Sequence, residues 1–180
     1  MTKKELRSLM KTREVAFLQD GNPSADSASI ISALEREPSF VSARTILCYM
    51  SIPGEVEIDS AFPRWNKEKR VVLPVVKGER LELREYGPDM LVPGYKGIPE
   101  PSADAPLVNP SEVDLALIPG IAFCRRPDGK VLRMGRGKGF YDRLIPELSC
   151  LKAGVCYPFR IVGDMETDPW DAPLDCLFSL

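Results

Sequence analysis

Helix-like and strand-like segments alternate along this chain, and that alternation constrains its fold more than any other feature of the sequence. Amphipathic spacing predicts a helix over residues 3–18 and a second over 24–34, after which Pro38 prevents continuation. Short apolar runs predict buried strands at residues 44–50, 70–76, 81–86, 114–123, 152–157 and 175–179, the fourth of which ends at a Pro119-Gly120 break. Such alternation is typical of an α/β layered fold.

Two stretches of the chain are less regular. Residues 57–66 are helix-like, although they include Pro63. Residues 87–110 are dense in Pro and Gly, which predicts a long ordered loop within a domain, not a linker between domains. A length of 180 residues is at the upper end for one ordinary domain, so we expect residues 1–180 to form a single domain. We expect four aromatic side chains to lie in its core: Trp65, Tyr95, Phe123 and Tyr157.

The composition excludes several kinds of catalysis. The chain has no histidine, which removes the usual near-neutral general base, the serine and cysteine triads that depend on it, and the commonest zinc ligand. The five cysteines are odd in number and include no Cys-x-x-Cys pair, so neither a disulfide framework nor a zinc site is indicated. These thiols fit a reducing cytoplasm, and the charged amino terminus and lack of a long apolar run argue against secretion and membrane insertion. We therefore expect catalysis to depend on Lys, Arg, carboxylates or a carboxylate-held metal.

A basic, glycine-rich segment is the strongest candidate for a functional site. Residues 133–142, Arg-Met-Gly-Arg-Gly-Lys-Gly-Phe-Tyr-Asp, place glycine at three alternate positions before a helix predicted to begin near Phe140. Glycines let the backbone approach a ligand closely, so that successive N–H groups converge on phosphate oxygens. Seven basic and two acidic residues lie between residues 125 and 143, although the net charge of the chain is −2. The segment is therefore predicted to bind a triphosphate, with Asp142 supplying oxygen to the accompanying Mg²⁺.

Simpler or different interpretations of this segment exist. Taken alone, a surface turn with solvated charges explains it equally well. The segment lacks the spacing of a Walker A loop and that of the Rossmann glycine motif. It also departs from the first RNA-binding motif of RRM domains, because Tyr141 and Asp142 stand where that motif has a small residue and an aromatic one.

Six segments of the chain, in the same order, are similar to those of one enzyme family. They are Lys3-Lys-Glu-Leu-Arg7, Ser51-Ile-Pro-Gly-Glu-Val-Glu57, Gly97-Ile-Pro-Glu-Pro101, Leu117-Ile-Pro-Gly-Ile-Ala-Phe123, the glycine-rich segment extended to Arg143, and Trp170-Asp-Ala-Pro-Leu-Asp175. Through them the chain resembles the 5-formyltetrahydrofolate cyclo-ligase family, and the resemblance covers essentially the whole chain.

The resemblance implies a fold and a reaction. The fold is a three-layer α/β/α domain with a mixed or mostly parallel sheet, similar to the sugar-phosphate isomerase and CoA-transferase group. The reaction is the ATP-dependent closure of 5-formyltetrahydrofolate to 5,10-methenyltetrahydrofolate with release of ADP and phosphate, through phosphorylation of the formyl oxygen and attack by N10. We therefore expect ATP as co-substrate, Mg²⁺ as cofactor and a reduced folate as substrate of a cytoplasmic monomer, with no nucleic-acid or membrane partner.

The resemblance also implies roles for individual residues. The implied ATP contacts are Lys3, Arg7, Arg133, Met134, Gly135, Arg136, Gly137, Lys138, Gly139, Phe140 and Tyr141. The implied folate contacts are Met50, Glu55, Arg136, Gly137, Lys138, Gly139 and Phe140, and the implied Mg²⁺ ligands are Asp142 and Asp171. Arg136 and Lys138 are expected to act in catalysis.

The chain departs from the family pattern at three positions. Many relatives have His-Asp where this chain has Trp170-Asp171, and Phe140 stands where Tyr is common. Pro146 predicts a shortened or kinked helix after the glycine-rich segment. Two other functions stay open: sugar-phosphate isomerisation, which would need no ATP, and a non-catalytic nucleotide or folate sensor, which would bind its ligand without turnover.

Overall fold

A computed structural model describes all 180 residues of the chain. The five helices are α1 (Lys3–Asp20), α2 (Pro23–Leu34), α3 (Pro38–Ser42), α4 (Phe62–Trp65) and α5 (Phe140–Leu144). The eleven strands are β1 (Thr45–Leu47), β2 (Arg70–Lys77), β3 (Arg80–Glu85), β4 (Leu91–Pro93), β5 (Pro99–Pro101), β6 (Leu107–Val108), β7 (Leu115–Ile118), β8 (Ala122–Arg125), β9 (Val131–Met134), β10 (Leu151–Val155) and β11 (Cys176–Phe178). None of the helices combines the length and the apolar character that a membrane crossing requires.

A mixed sheet of seven strands, in the order β11-β10-β7-β1-β2-β3-β6, forms the centre of the molecule. Pairing is parallel from β11 through β2 and antiparallel for β3 and β6 at one edge. The predicted α/β class and mixed sheet are therefore confirmed. The more specific similarity to sugar-phosphate isomerases and CoA-transferases stays a prediction, as does the single domain.

Successive residues of each strand point to opposite faces of the sheet. Both faces are buried, because an apolar cluster packs on each of them. On β1, Ile46 packs in a cluster with apolar residues of α2, α3 and α4. Its neighbour Leu47 packs on the other face, in a cluster with Leu144 of α5 and with Phe123 and Val131 of the β8–β9 hairpin. The sheet is thus the middle of three layers, as predicted.

Helix α1 lies against the β8–β9 hairpin. It begins at Lys3 because the Thr2 hydroxyl accepts a hydrogen bond from the Glu5 N–H (3.3 Å) and the Glu5 carboxylate accepts one from the Thr2 N–H (2.8 Å). Leu6 and Met10 of the helix are buried against Met134 of β9. This packing holds the amino-terminal turn of α1 beside the glycine-rich segment that follows β9.

The predicted loop at residues 87–110 contains regular structure, so that prediction was wrong. Strands β4 and β5 form a two-stranded hairpin in which Pro93 pairs with Pro99, and β6 extends the main sheet. A two-stranded hairpin has only edge strands, which tolerate proline because one side of each strand needs no N–H donor. The proline content therefore concealed the strands.

The apolar run at residues 114–123 is two strands. Strand β7 stops at Ile118, before Pro119-Gly120, as the sequence predicted. The chain then leaves the seven-stranded sheet, and β8 pairs with β9 in a separate hairpin. The predicted shortening of the helix at Pro146 is confirmed, because α5 ends at Leu144 and a single 3₁₀ turn, Ile145–Glu147, follows it.

Candidate active site

A cleft of about 440 Å³ lies at the carboxyl ends of the parallel strands β1 and β7. The segment after β1 contributes Met50 and Glu55 to its lining, and the segment after β7 contributes Pro119 and Gly120. Ligands of open α/β sheets bind at this edge, where loops from several strands converge. The topology therefore brings together residues that are far apart in the sequence.

The cleft has an apolar wall, and the β4–β5 hairpin contributes to its rim. Leu73 and Val76 of β2 and Leu81 of β3 contribute to the apolar wall. At the rim, the ring of Tyr95 contacts the ring of Phe140 edge to face, with a centroid distance of 5.8 Å. Tyr95 is 37% exposed, so its predicted place in the core was wrong, whereas the other three predicted core aromatics are buried.

The glycine-rich segment forms the polar end of the cleft. Arg133 and Met134 belong to strand β9, so the loop itself begins at Gly135, two residues later than predicted. Gly137 and Gly139 have φ angles of 90° and 69°, which side chains of L-residues strongly disfavour. None of the backbone N–H groups from Gly135 to Gly139 donates a hydrogen bond to another backbone group. The loop therefore presents consecutive free donors, the arrangement that binds phosphate oxygens.

Basic side chains surround these donors. Lys138 forms no ion pair, although its residue lines the cleft, and Arg136 Nη2 donates to Glu55 Oε1 at 3.0 Å. From the other side of the loop, Arg7 Nη2 of α1 lies 3.6 Å from the position that a Cβ atom would take on Gly137. The structure thus brings Arg7, the loop and Glu55 together, as expected from the sequence.

Lys3 is engaged by two carboxylates. Its Nζ lies 2.6 Å from Asp168 Oδ2 and 2.6 Å from Asp171 Oδ2. Although burial lowers the pKa of Lys3, the hydrogen bonds with Asp168 and Asp171 outweigh it and raise that pKa. Lys3 is not part of the cleft lining, so its predicted contact with ATP stays a prediction. Asp168 carried no signal in the sequence, since it is one of four acidic residues between positions 164 and 171 and nothing distinguishes it from solvated neighbours.

The buried side chain of Arg133 connects β9 to two other segments that line the cleft. Its side chain is 3% exposed, and its Nη2 donates to Asp142 Oδ1 at 3.0 Å while Nη1 donates to the Pro119 carbonyl at 3.2 Å. Its buried Nε has no hydrogen-bond partner. The guanidinium also lies over the ring of Tyr141, 5.4 Å from its centroid. Arg133 therefore fixes the start of α5 relative to β7.

Glu55 is a buried carboxylate in the cleft, and it is only 9% exposed. Burial raises its pKa, and the nearby charge of Arg136 lowers it only in part. Burial likewise raises the pKa values of the neighbouring phenols of Tyr49 and Tyr141. Glu55 is thus a hydrogen-bond acceptor in a poorly solvated region, suited to the polar edge of a heterocyclic ligand.

Arg160, which the sequence analysis missed, holds the segment before Glu55 in place. It is 1% exposed. Its Nε donates to the Gly54 carbonyl at 2.8 Å, its Nη1 to the Ile121 carbonyl at 3.0 Å and its Nη2 to Glu14 Oε2 at 2.6 Å. Gly54 has a φ of 83°, and a Cβ atom there would lie 2.7 Å from Arg160 Nη2. The Pro-Gly turn is therefore required for this close packing.

The two predicted Mg²⁺ ligands both hold cations in this structure, Asp142 through Arg133 and Asp171 through Lys3. No group of three or more Cys, Asp or Glu side chains is arranged to hold a metal ion. Asp142 Oδ2 and Asp171 Oδ1 accept no hydrogen bond. Because Mg²⁺ in nucleotide sites takes only one or two carboxylates and completes its shell with phosphate oxygens and water, this donor chemistry fits such an ion. The metal assignment stays a prediction.

The fold and the cleft are those of an α/β enzyme with a glycine-rich loop of free N–H donors at the carboxyl edge of a largely parallel sheet. The model of the 5-formyltetrahydrofolate cyclo-ligase family matches residues 1–179. The chain belongs to that family, and the resemblance identified in the sequence is confirmed.

Individual relatives agree with this assignment. The 5-formyltetrahydrofolate cyclo-ligase of Escherichia coli K12 is 32% identical over 151 residues, which cover 79% of this chain and 81% of the relative. That of Haemophilus influenzae is 34% identical over 142 residues, 73% of each chain. Among solved structures, the 5,10-methenyltetrahydrofolate synthetase of Aquifex aeolicus has 35% identity and a TM-score of 0.86, covering 99% of this chain and 90% of its own. The corresponding synthetase of Mycoplasma pneumoniae has 25% identity and a TM-score of 0.73 over 99% of this chain and 98% of its own.

Proposed function

We propose that the chain catalyses the ATP-dependent closure of 5-formyltetrahydrofolate to 5,10-methenyltetrahydrofolate, with release of ADP and phosphate. The observation that carries this proposal is the glycine-rich loop, whose free N–H groups and unpaired Lys138 line a cleft that also has an apolar wall. A triphosphate suits the loop and a reduced pterin suits the apolar wall. The names of the relatives support the folate as substrate.

The chemistry explains why ATP is needed. The 5-formyl group is an amide, so its carbon resists attack by N10 and its oxygen is a poor leaving group. Transfer of the γ-phosphoryl group of ATP to that oxygen forms an O–P bond and breaks the bond to ADP. N10 then attacks the activated carbon and loses its proton to water or to the departing phosphate, and the C–O bond breaks as phosphate leaves the methenyl bridge.

The residues of the cleft match this chemistry, because phosphoryl transfer requires alignment and charge neutralisation more than a covalent nucleophile. Lys138 and the loop N–H groups neutralise the transferred phosphoryl group. Arg136, which forms an ion pair with Glu55, contacts both the triphosphate and the folate in this proposal. A chain without histidine is thus chemically sufficient for the reaction.

Further contacts to the nucleotide belong to the same proposal. Arg7, whose guanidinium lies beside Gly137, and Lys3, four positions earlier on α1, bind the triphosphate in this proposal. Mg²⁺ held by Asp142 and Asp171 would supply charge neutralisation at the phosphate oxygens. We also propose that the chain works in the cytoplasm as a monomer, on a small-molecule substrate alone.

The test is turnover of 5-formyltetrahydrofolate with Mg-ATP, followed by the near-ultraviolet absorbance of the conjugated methenyl product. We expect product only when ATP and a divalent metal are both present. The Lys138→Ala variant should lose turnover, whereas Lys67→Ala, which removes an exposed lysine outside the cleft, should not. Binding of ATP and folate without product would favour a sensor, and activity on sugar phosphates without ATP would favour an isomerase.

A further inference from the structure

The tip of the β4–β5 hairpin places an unusual lysine at the mouth of the cleft. Lys96 lines the cleft and is exposed to solvent. With a φ of 55°, it is the one residue other than glycine that has a left-handed backbone. A lysine gains nothing from that conformation, which asparagine or glycine would adopt more readily. A backbone of this kind at a ligand cleft indicates a side chain selected for function.

The charges of the cleft single out the same residue. Of its four basic side chains, Arg133 is paired with Asp142 and Arg136 with Glu55. Lys138 and Lys96 form no ion pair; the Lys96 ammonium lies 5.6 Å from the centre of the Tyr95 ring. Glu100, the remaining carboxylate of the lining, does not pair with Lys96 either. Two cations are thus free for ligands, one at the loop and one at the mouth.

The proposed substrates bring two separate sets of negative charge. One is the triphosphate, which the loop and Lys138 accommodate. The other is the pair of carboxylates on the glutamyl group of a folate, at the end of the molecule opposite to the pterin. When the pterin lies in the apolar part of the cleft, the glutamyl group reaches the mouth and continues into solvent, which is where Lys96 is exposed.

We propose that Lys96 is a subsite for a glutamyl carboxylate and determines the preference of the cleft for folates over pteridines without glutamate. This inference rests on the proposed function. The hairpin supports it geometrically, because the contact between Tyr95 and Phe140 fixes the tip beside the loop. The pairing of β4 with β5 and the bond from the Gly94 N–H to the Ile98 carbonyl (2.9 Å) keep the tip closed.

The experiment compares 5-formyltetrahydrofolate with the methylamide of 5-formyltetrahydropteroic acid, in which an uncharged methyl group replaces the glutamyl chain and its two carboxylates, on the complete chain. Equilibrium dissociation constants are measured by calorimetry and KM values by turnover, for the wild type and for the Lys96→Asn, Lys96→Arg and Lys67→Asn variants. Asparagine removes the charge but tolerates the left-handed backbone, and arginine keeps the charge. Lys67 is an exposed lysine outside the cleft and controls for the change in overall charge.

We expect the wild type and Lys67→Asn to bind the folate about fivefold more tightly than the methylamide, the effect of one exposed ion pair of about 1 kcal/mol. Lys96→Asn should abolish that difference by weakening the folate alone, and Lys96→Arg should retain it. Equal weakening of both ligands, an unchanged ratio, or a raised KM for ATP in Lys96→Asn would overturn the proposal. A wild type that forms no methenyl product would instead refute the proposed function, a result distinct from any of these.

Discussion

Replacement of Arg160 by Met tests whether one buried guanidinium holds the folate side of the cleft together. The substitution keeps an unbranched apolar stem but removes three hydrogen bonds, to the carbonyls of Gly54 and Ile121 and to the carboxylate of Glu14. Hydrogen bonds of a charged donor contribute about 1.5–3 kcal/mol each, and breaking a buried ion pair costs about 3–5 kcal/mol. Because the methionine stem restores some packing, we expect the free energy of unfolding to fall by about 3–5 kcal/mol.

Urea unfolding measures this loss directly. With a slope of roughly 2 kcal/mol per molar urea, the transition midpoint should fall by about 2 M at an unchanged slope. The KM for the folate should also rise, since the Gly54 carbonyl precedes Glu55 in the chain. Arg13→Met is the matched control: it makes the same change at an exposed arginine of α1, whose one side-chain hydrogen bond goes to the Phe159 carbonyl at 3.2 Å. It should cost about 0.5–1 kcal/mol. An Arg160→Met variant within about 1 kcal/mol of the wild type, or an Arg13→Met variant as damaged as Arg160→Met, would refute the reasoning.

Three further predictions concern the cleft. Lys138→Ala should lower kcat about 100-fold or more. The free energy of unfolding should change by less than about 0.5 kcal/mol, because the Lys138 side chain has no partner in the protein. A small effect on kcat would exclude Lys138 from the phosphate site. Burial raises the pKa of Glu55 above its value in the unfolded chain, so the stability that its protonated form contributes is lost as pH rises through the folded-state pKa. The stability of Glu55→Gln relative to the wild type should therefore increase from about pH 4 to about pH 7, measured as the free energy of unfolding at both pH values. The variant should also lose affinity for the folate. A stability difference that does not grow with pH would contradict the raised pKa of Glu55. Gly139→Ala forces a side chain into a backbone with φ of 69°. It should lower the free energy of unfolding by about 1–2 kcal/mol and raise the KM for ATP. Gly163→Ala is the control, because no neighbouring atom lies within 4 Å of an added Cβ there, and it should change neither the stability nor the KM.

The central sheet was predictable because buried strands are continuous apolar runs. The strand predicted at residues 70–76 corresponds to β2, Arg70–Lys77, and that at 175–179 contains β11, Cys176–Phe178. Apolar content alone does not show which sheet a strand joins, which is why the apolar residues after the break, at 121–123, were not predicted as part of a second strand. The Pro119-Gly120 break marked the correct point of division, but the sequence offered no sign that the chain continues into a second hairpin.

The site was predictable wherever chemistry requires adjacent residues. Free amides on a turn need glycines at close spacing, so the loop from Gly135 to Gly139 was evident from the sequence. Arg160 and Asp168 were not evident, because each acts through partners more than 140 positions away in the chain, Glu14 and Lys3 respectively. Glu14 itself resembles any solvated residue of an amphipathic helix. Such contacts depend on the tertiary fold and leave no local pattern.

The contact between Lys3 and Asp171 joins positions 168 residues apart, and this has a consequence for the synthesis of the protein. During translation, α1 leaves the ribosome long before residues 168–171 and can form its capped helix at once. Its Lys3 finds its carboxylates only after residues 168–171 have also emerged. A variant that stops before Asp168 therefore leaves this lysine without either partner. Emergence of residues 168–171 is the step at which this side of the site can become complete.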